Sequence, residues 1–193
     1  MKLFTTLLGM MIIVSLALSF VLVTSKSQVS FAASSDPQDF MNMTEDERFQ
    51  AAANMSQEEK QMIMNEFSKQ NSTIDENMSE TAISKETKPL MGNLVDAGDG
   101  FHKAEGVAKV VNLADGKTFL RLENLKATNG PDLYVYLSTD KGVSDFVNLG
   151  RLKGNIGNQN YEIPAGTDLA KYDTVLIWCK AFSTLFGSAK LSS

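Results

Sequence analysis

Near the end of the chain runs the segment Thr174-Val175-Leu176-Ile177-Trp178-Cys179-Lys180. It is short, apolar and rich in β-branched residues, which predicts a buried β-strand. Because side chains alternate between the two faces of a strand, Val175, Ile177 and Cys179 should share one face. Leu176 and Trp178 should then lie on the other. The segment holds the single tryptophan and the single cysteine of the protein, so any chemical function is to be sought here first.

The chain around this segment has the pattern of an all-β domain over residues 99–193. Turn signals such as Asp115-Gly116 and Asn129-Gly130-Pro131-Asp132 separate short alternating runs. Together with the first segment these runs predict about seven strands in a small antiparallel β-sandwich or partly closed barrel. The other candidate strands are Gly106–Leu113, Thr118–Leu125, Leu133–Ser138, Phe146–Leu149, Tyr161–Ile163 and Leu185–Leu191.

The first 33 residues are predicted to be an export signal or an anchor. An uncharged apolar run extends from Leu3 to Val23, and Ser30 and Ala32 could form a cleavage site. The run exceeds the usual signal core and is just long enough to span a bilayer. A cleaved signal peptide and a retained N-terminal membrane anchor both stay open. Either one places the rest of the chain outside the cytoplasm, secreted or bound to the cell membrane.

Two segments are predicted between the signal and the β domain. Residues 36–71 contain Thr44 with Glu47 and Ser56 with Glu59, both at the spacing of a capping box. They predict a helical hairpin whose helices are too short to be stable alone. The helices must therefore pair with each other, with the domain, or with a membrane or partner. Residues 72–98 are polar and acidic, which predicts a flexible linker.

Charge and cysteine count limit the functional classes. The net charge is -5, and residues 36–100 hold fourteen acidic and five basic residues. Without a basic patch carrying aromatic residues, nucleic-acid binding has no support. The single cysteine excludes an intrachain disulfide. A lone exported thiol is buried and inert, pairs with another molecule, or has a function of its own.

The β domain resembles the electron-transfer domain called DM-thirteen, which occurs in Skeletor-type extracellular proteins, often beside DOMON domains. The resemblance covers nearly the whole domain in order. The matching residues are Phe101-His102, Gly106, Leu120–Leu125, Gly130–Ser138, Leu149–Tyr161, Ile163-Pro164, Val175–Lys180, Phe182, Phe186-Gly187, Ala189 and Leu191.

The resemblance implies redox chemistry at Cys179, either as a free thiol or as the ligand of a prosthetic group such as haem. His102, the only histidine, is the candidate second ligand, and a purely hydrogen-bonding histidine is the alternative. Trp178 and Phe182 could wall a flat cofactor or could be core packing beside the cysteine. A covalent c-type haem and a dithiol motif are excluded, because the chain has no second cysteine.

The sequence thus predicts an extracytoplasmic electron-transfer module that acts through Cys179, with an unknown redox partner or surface protein. An electron-transfer or binding module is favoured over a stand-alone enzyme. The rival hypothesis is a non-catalytic exported β-sandwich that binds a partner and merely buries an inert cysteine. Accessibility and reactivity of the thiol separate the two.

Overall fold

The computed structural model describes residues 36–78 and 88–193. The predicted signal or anchor, residues 1–33, lies outside this range. Within the range, no helix combines the length and apolarity that a membrane span requires.

Three short helices open the described chain. Two of them begin at the predicted capping boxes: the Thr44 hydroxyl accepts from the backbone N–H of Glu47 at 3.3 Å, and the Ser56 hydroxyl accepts from that of Glu59 at 3.2 Å. Each glutamate also accepts from the N-cap backbone N–H, so both predicted helix starts are confirmed. A further turn of helix precedes them. The helices are α1 (Pro37–Asn42), α2 (Glu45–Asn54) and α3 (Gln57–Ser68).

Ten strands follow in the described part of the chain, arranged in two five-stranded sheets. The first sheet has the order β1-β8-β5-β4-β2, and the second has the order β3-β10-β9-β6-β7. The strands are β1 (Thr73–Asp75), β2 (Met91–Asn93), β3 (Val95–Asp96), β4 (Ala104–Asn112), β5 (Thr118–Ala127), β6 (Leu133–Ser138), β7 (Phe146–Arg151), β8 (Ile156–Ile163), β9 (Thr174–Cys179) and β10 (Thr184–Lys190).

The predicted sandwich is confirmed, but the strand number is ten rather than seven. The three additional strands, β1 to β3, all lie within the range 72–98 that was predicted to be a linker. They are two or three residues long and add to sheet edges: β1 pairs with β8, β2 with β4 and β3 with β10. Such short strands carry too few residues to show an alternating pattern, so only their partners define them.

One buried cluster between the two sheets forms the main core, and both sheets contribute to it through alternate residues. From β9, Val175, Ile177 and Cys179 belong to this cluster. Leu176 and Trp178 lie instead in a smaller aromatic cluster on the opposite face of the sheet. The predicted alternation of this strand is therefore confirmed.

The helices pack against the β domain and against each other. Their apolar side chains form a second cluster with Ala181, which follows β9. Met64 of α3 reaches further and belongs to the main core. Of the partners that the sequence left open for these helices, the structure thus shows two, the other helices and the domain.

A glycine substitution tests the docking of β1 on β8. Gly157 has a φ of +110°, and a Cβ there would lie 1.9 Å from the carbonyl oxygen of Ile74. We expect Gly157→Ala to lower the free energy of unfolding by about 2–5 kcal/mol, through backbone strain and overpacking together. Chemical denaturation of the full chain measures this loss.

Gly166→Ala is the matched control, because Gly166 also has a positive φ, +81°, but no atom lies within 4 Å of its Cβ position. It should lose only the strain contribution, about 1–2 kcal/mol. Equal losses in the two variants would contradict the close approach of β1 to β8.

Candidate functional site

Cys179 is the last residue of β9, a strand in the interior of the second sheet. It pairs with Leu133 of β6 on one side and with Thr184 of β10 on the other. The side chain is 0% exposed and points into the main core. The thiol therefore lies at the end of a central strand, buried but adjacent to the turn that leaves the sheet.

That turn, residues 180–183, is held in place by backbone hydrogen bonds. The backbone N–H of Lys180 donates to the carbonyl oxygen of Asp132 at 3.0 Å, which ties the turn to the start of β6. The backbone N–H of Ser183 closes the turn on the Lys180 carbonyl at 3.2 Å. Ser183 has a φ of +49°, a conformation that a tight turn requires.

Burial raises the pKa of the Cys179 thiol from its ordinary value of 9.0 to about 12. Hydrogen bonding from the backbone of Phe182, Asp132 and Ala181 acts in the opposite direction and lowers the pKa, whereas the negative charge of Asp132 adds to the increase. Loss of solvation prevails, so the neutral thiol is the stable form at physiological pH. In this conformation Cys179 is protected from electrophiles twice, by inaccessibility and by protonation.

Asp132 is the charged residue that acts on the pKa of this thiol. Its carboxylate is 1% exposed, and Oδ1 accepts from Arg48 of α2 at 3.2 Å and also from Arg151 of β7. Asp132 Oδ2 and Arg48 Nε are both buried without a hydrogen-bond partner in the described residues. The ion pair thus joins a helix to the sheet, with part of its hydrogen-bonding capacity unused.

Further contacts place the helices directly over the turn after Cys179. Glu45 of α2 accepts from the Lys180 ammonium and from the Tyr134 hydroxyl. The ring of Phe40 in α1 lies 5.4 Å from the ring of Phe182, centroid to centroid. We call helices α1 to α3 the helical cap, because their polar and apolar contacts converge on this end of the sandwich.

Of the four residues predicted for the site, the structure brings Phe182 to Cys179. Trp178 faces the other side of the sheet, where it packs near Tyr134 and Leu176. Phe182 is partly buried and contacts both the main core and the cap cluster. Its backbone amide acts to lower the pKa of the thiol.

His102 lies in the segment that precedes β4. Its Nδ1 is hydrogen-bonded to Asp99 Oδ2, and its ring lies 4.2 Å from the ring of Phe186, centroid to centroid. Partial burial acts to raise the pKa of Asp99, but hydrogen bonds from the side chain and backbone of His102 and from the backbone of Phe101 prevail and lower it to about 2. Nε2 is buried and has no partner within residues 36–78 and 88–193. His102 thus orders the segment that leads into β4.

A haem does not fit these four residues in this conformation. A thiolate ligand needs a deprotonated sulfur at the wall of a flat, open space, whereas the Cys179 thiol is fully covered. Trp178 cannot line that wall, because it lies across the sheet. Nor does any group of three or more His, Cys, Asp or Glu side chains in the described chain have the arrangement of a metal site.

These features define an all-β sandwich with a single buried thiol at the end of a central strand and a helical cap over that end. Residues 97–191 match the family model described as electron transfer DM13. This domain therefore belongs to the DM13 electron-transfer family, and the resemblance noted in the sequence is confirmed. Comparison with curated proteins and with solved structures gives no match.

The residues that the sequence did not reveal as parts of the site are Asp132, Arg48 and Glu45. Asp132 follows Pro131 and has the appearance of an ordinary turn former. Its partner Arg48 is 84 residues away and lies in a helix with no sequence signal that links it to the β domain. The sequence offers one hint of this pairing: Arg48 is a charged residue on the apolar face of its helix.

A pH titration tests the environment of the thiol. The folded pKa of about 12 lies above the ordinary 9.0, so the contribution of Cys179 to stability is complete below pH 9 and is lost as the pH rises towards 12. Over that window, the free energy of unfolding of the wild type should fall by about 1.4 kcal/mol per pH unit more steeply than that of Cys179→Ala. Urea denaturation at a series of pH values measures both slopes. Parallel slopes would mean that the folded thiol titrates normally.

Proposed function

We propose that this protein is an extracytoplasmic redox module that exchanges electrons through the free thiol of Cys179. Family membership supports the electron-transfer role. The apolar run from Leu3 to Val23, with the following small residues, supports export or anchoring at a membrane.

One observation favours a chemical role for this sulfur over simple packing. Cys179 ends β9 beside the turn 180–183, and the backbone amides of Phe182, Asp132 and Ala181 lower the pKa of its thiol against the effect of burial. A cysteine that acts only as a small apolar side chain needs no such donors. Donors around a sulfur stabilise a thiolate and adjust its reactivity once water reaches it.

Because the chain has one cysteine, its redox partner must supply the second sulfur. In the proposed step, Cys179 releases its proton to water, and the thiolate attacks one sulfur of a disulfide in a partner molecule. A sulfur–sulfur bond forms to Cys179 while the partner's own bond breaks. The electron pair of the broken bond leaves on the partner's other sulfur as a thiolate. Cys179 is oxidised to a mixed disulfide, and the departing sulfur is reduced.

A second candidate, a binding module with an inert cysteine, is favoured by the complete burial of the thiol and its raised pKa. The two candidates differ in whether Cys179 reacts while the sandwich is folded. Under the first it reacts during local opening, and under the second it reacts only on global unfolding.

Incubation of the full chain with glutathione disulfide distinguishes them. We expect the wild type to acquire one glutathione, removable with dithiothreitol, at denaturant concentrations far below the unfolding transition. Cys179→Ser should acquire none, and intact-mass spectrometry reads both. Modification that appears only across the unfolding transition would favour the inert module.

A visible absorption spectrum of protein isolated from its own export compartment completes the test. A Soret band that is present in the wild type and lost in Cys179→Ser would replace the free-thiol mechanism with ligation of a prosthetic group.

A further inference from the structure

Polar side chains of α2 contact the sandwich at strand ends next to Cys179. Arg48 and Glu45 of α2 hold Asp132, Lys180 and Tyr134. These three β-domain residues lie directly before β6, directly after β9 and within β6. The cap thus covers the same strand ends from which Cys179 would have to be approached.

Apolar contacts complete the cover. Ala181 is 4% exposed and lies in one cluster with side chains of all three helices. Phe182 packs on Phe40, and Met64 enters the core cluster that contains Cys179. Removal of the cap would therefore open a patch with an apolar centre at residues 181 and 182.

The sandwich does not depend on the cap for its sheets. The helices precede the DM13 match at residues 97–191 and contribute no strand to either sheet. A short connection from Lys69 leads to β1, which is paired with β8, and the backbone N–H of Ser72 donates to Asn155 Oδ1 at 2.7 Å. The cap can therefore leave its site while its C-terminal end stays fastened to the first sheet.

In the buried ion pair, Arg48 can be replaced by another cation. Arg48 Nε and Asp132 Oδ2 are buried and unpartnered in the described part of the chain. A buried pair that leaves hydrogen-bonding groups unsatisfied recovers little of its desolvation cost. Another cation that satisfied both oxygens of Asp132 could therefore compete with Arg48.

We propose that the helical cap is a displaceable lid, and that the patch beneath it is the docking surface of the redox partner. This inference rests on the proposed function of Cys179. The patch accommodates a segment of the same chemistry as α1 and α2: a cation for Asp132, a carboxylate for Lys180 and Tyr134, and an apolar side chain for Phe182. The partner thus opens the site by taking the place of the cap.

The test is the rate at which a maleimide labels Cys179 in the folded full chain. The double variant Phe40→Ala/Arg48→Ala removes one apolar and one polar contact of the cap without adding charge. We expect labelling to be at least about tenfold faster than in the wild type. Loss of one partner of a buried ion pair destabilises the docked cap, so the cap opens more often and exposes Cys179.

Leu122→Ala is the control for global destabilisation, because Leu122 is fully buried in β5, in the sheet that does not contain Cys179. At matched overall stability it should label much more slowly than the cap variant. Hydrogen exchange should show amides 181–183 deprotected in the cap variant, with those of β5 still protected. Unchanged labelling in the cap variant, or equal labelling in the two, would overturn the lid.

The chemistry of the partner is tested on the opened double variant with two disulfide peptides that differ only in an Arg or a Glu beside the disulfide. The Arg peptide should form the mixed disulfide several times faster, because it can pair with the uncovered Asp132. Equal rates would overturn the proposed docking surface. If maleimide labels the opened variant but neither peptide reacts, the lid stands and the redox function fails.

Discussion

The arrangement of this protein depends on one buried carboxylate. Asp132 is enclosed at the end of the sandwich and accepts from Arg48 of the helical cap and Arg151 of β7. An isolated charge at such a position is costly, so Asp132 needs a cation beside it while it stays buried. In the closed conformation one of these cations, Arg48, comes from a helix, and the ion pair joins the cap to the sandwich. The same carboxylate disfavours ionisation of the Cys179 thiol, so one group holds the cap and helps to keep the sulfur neutral.

Two opposite effects act on the pKa of the Cys179 thiol. The core packing that completes the end of β9 raises the pKa of the thiol, whereas backbone hydrogen bonding from the following turn favours the thiolate. A site with these two influences is inactive when closed and prepared for ionisation when water enters. For Cys179 to react, the cover over it must open locally, and the sheets need not rearrange. The helical cap contributes no strand to either sheet, so it can open without breaking the hydrogen bonds between strands.

Local patterns were sufficient to predict much of the fold. Alternation assigned the two faces of β9, and hydroxyl–glutamate spacing located the starts of α2 and α3. What the sequence could not predict depends on distant partners. The short strands β1 to β3 exist only because longer strands offer them free edges. Likewise, the pairing of Arg48 with Asp132 spans 84 residues, and no local periodicity encodes it. The sequence therefore pointed to Cys179 as the centre of a candidate site, which stays a prediction, and gave no sign that the helices cover it.

The most direct test of this account is a double-mutant cycle between the helix and the sandwich. The free energies of unfolding of the wild type, Arg48→Met, Asp132→Asn and the double variant give the coupling between the two side chains, with the contribution of Arg151 cancelled. If this pair holds the cap, we expect a favourable coupling free energy of at least about 1 kcal/mol between Arg48 and Asp132, as for charged groups in contact within one network. A coupling near zero would show that the helices do not depend on Asp132, and would contradict the central role given to this ion pair.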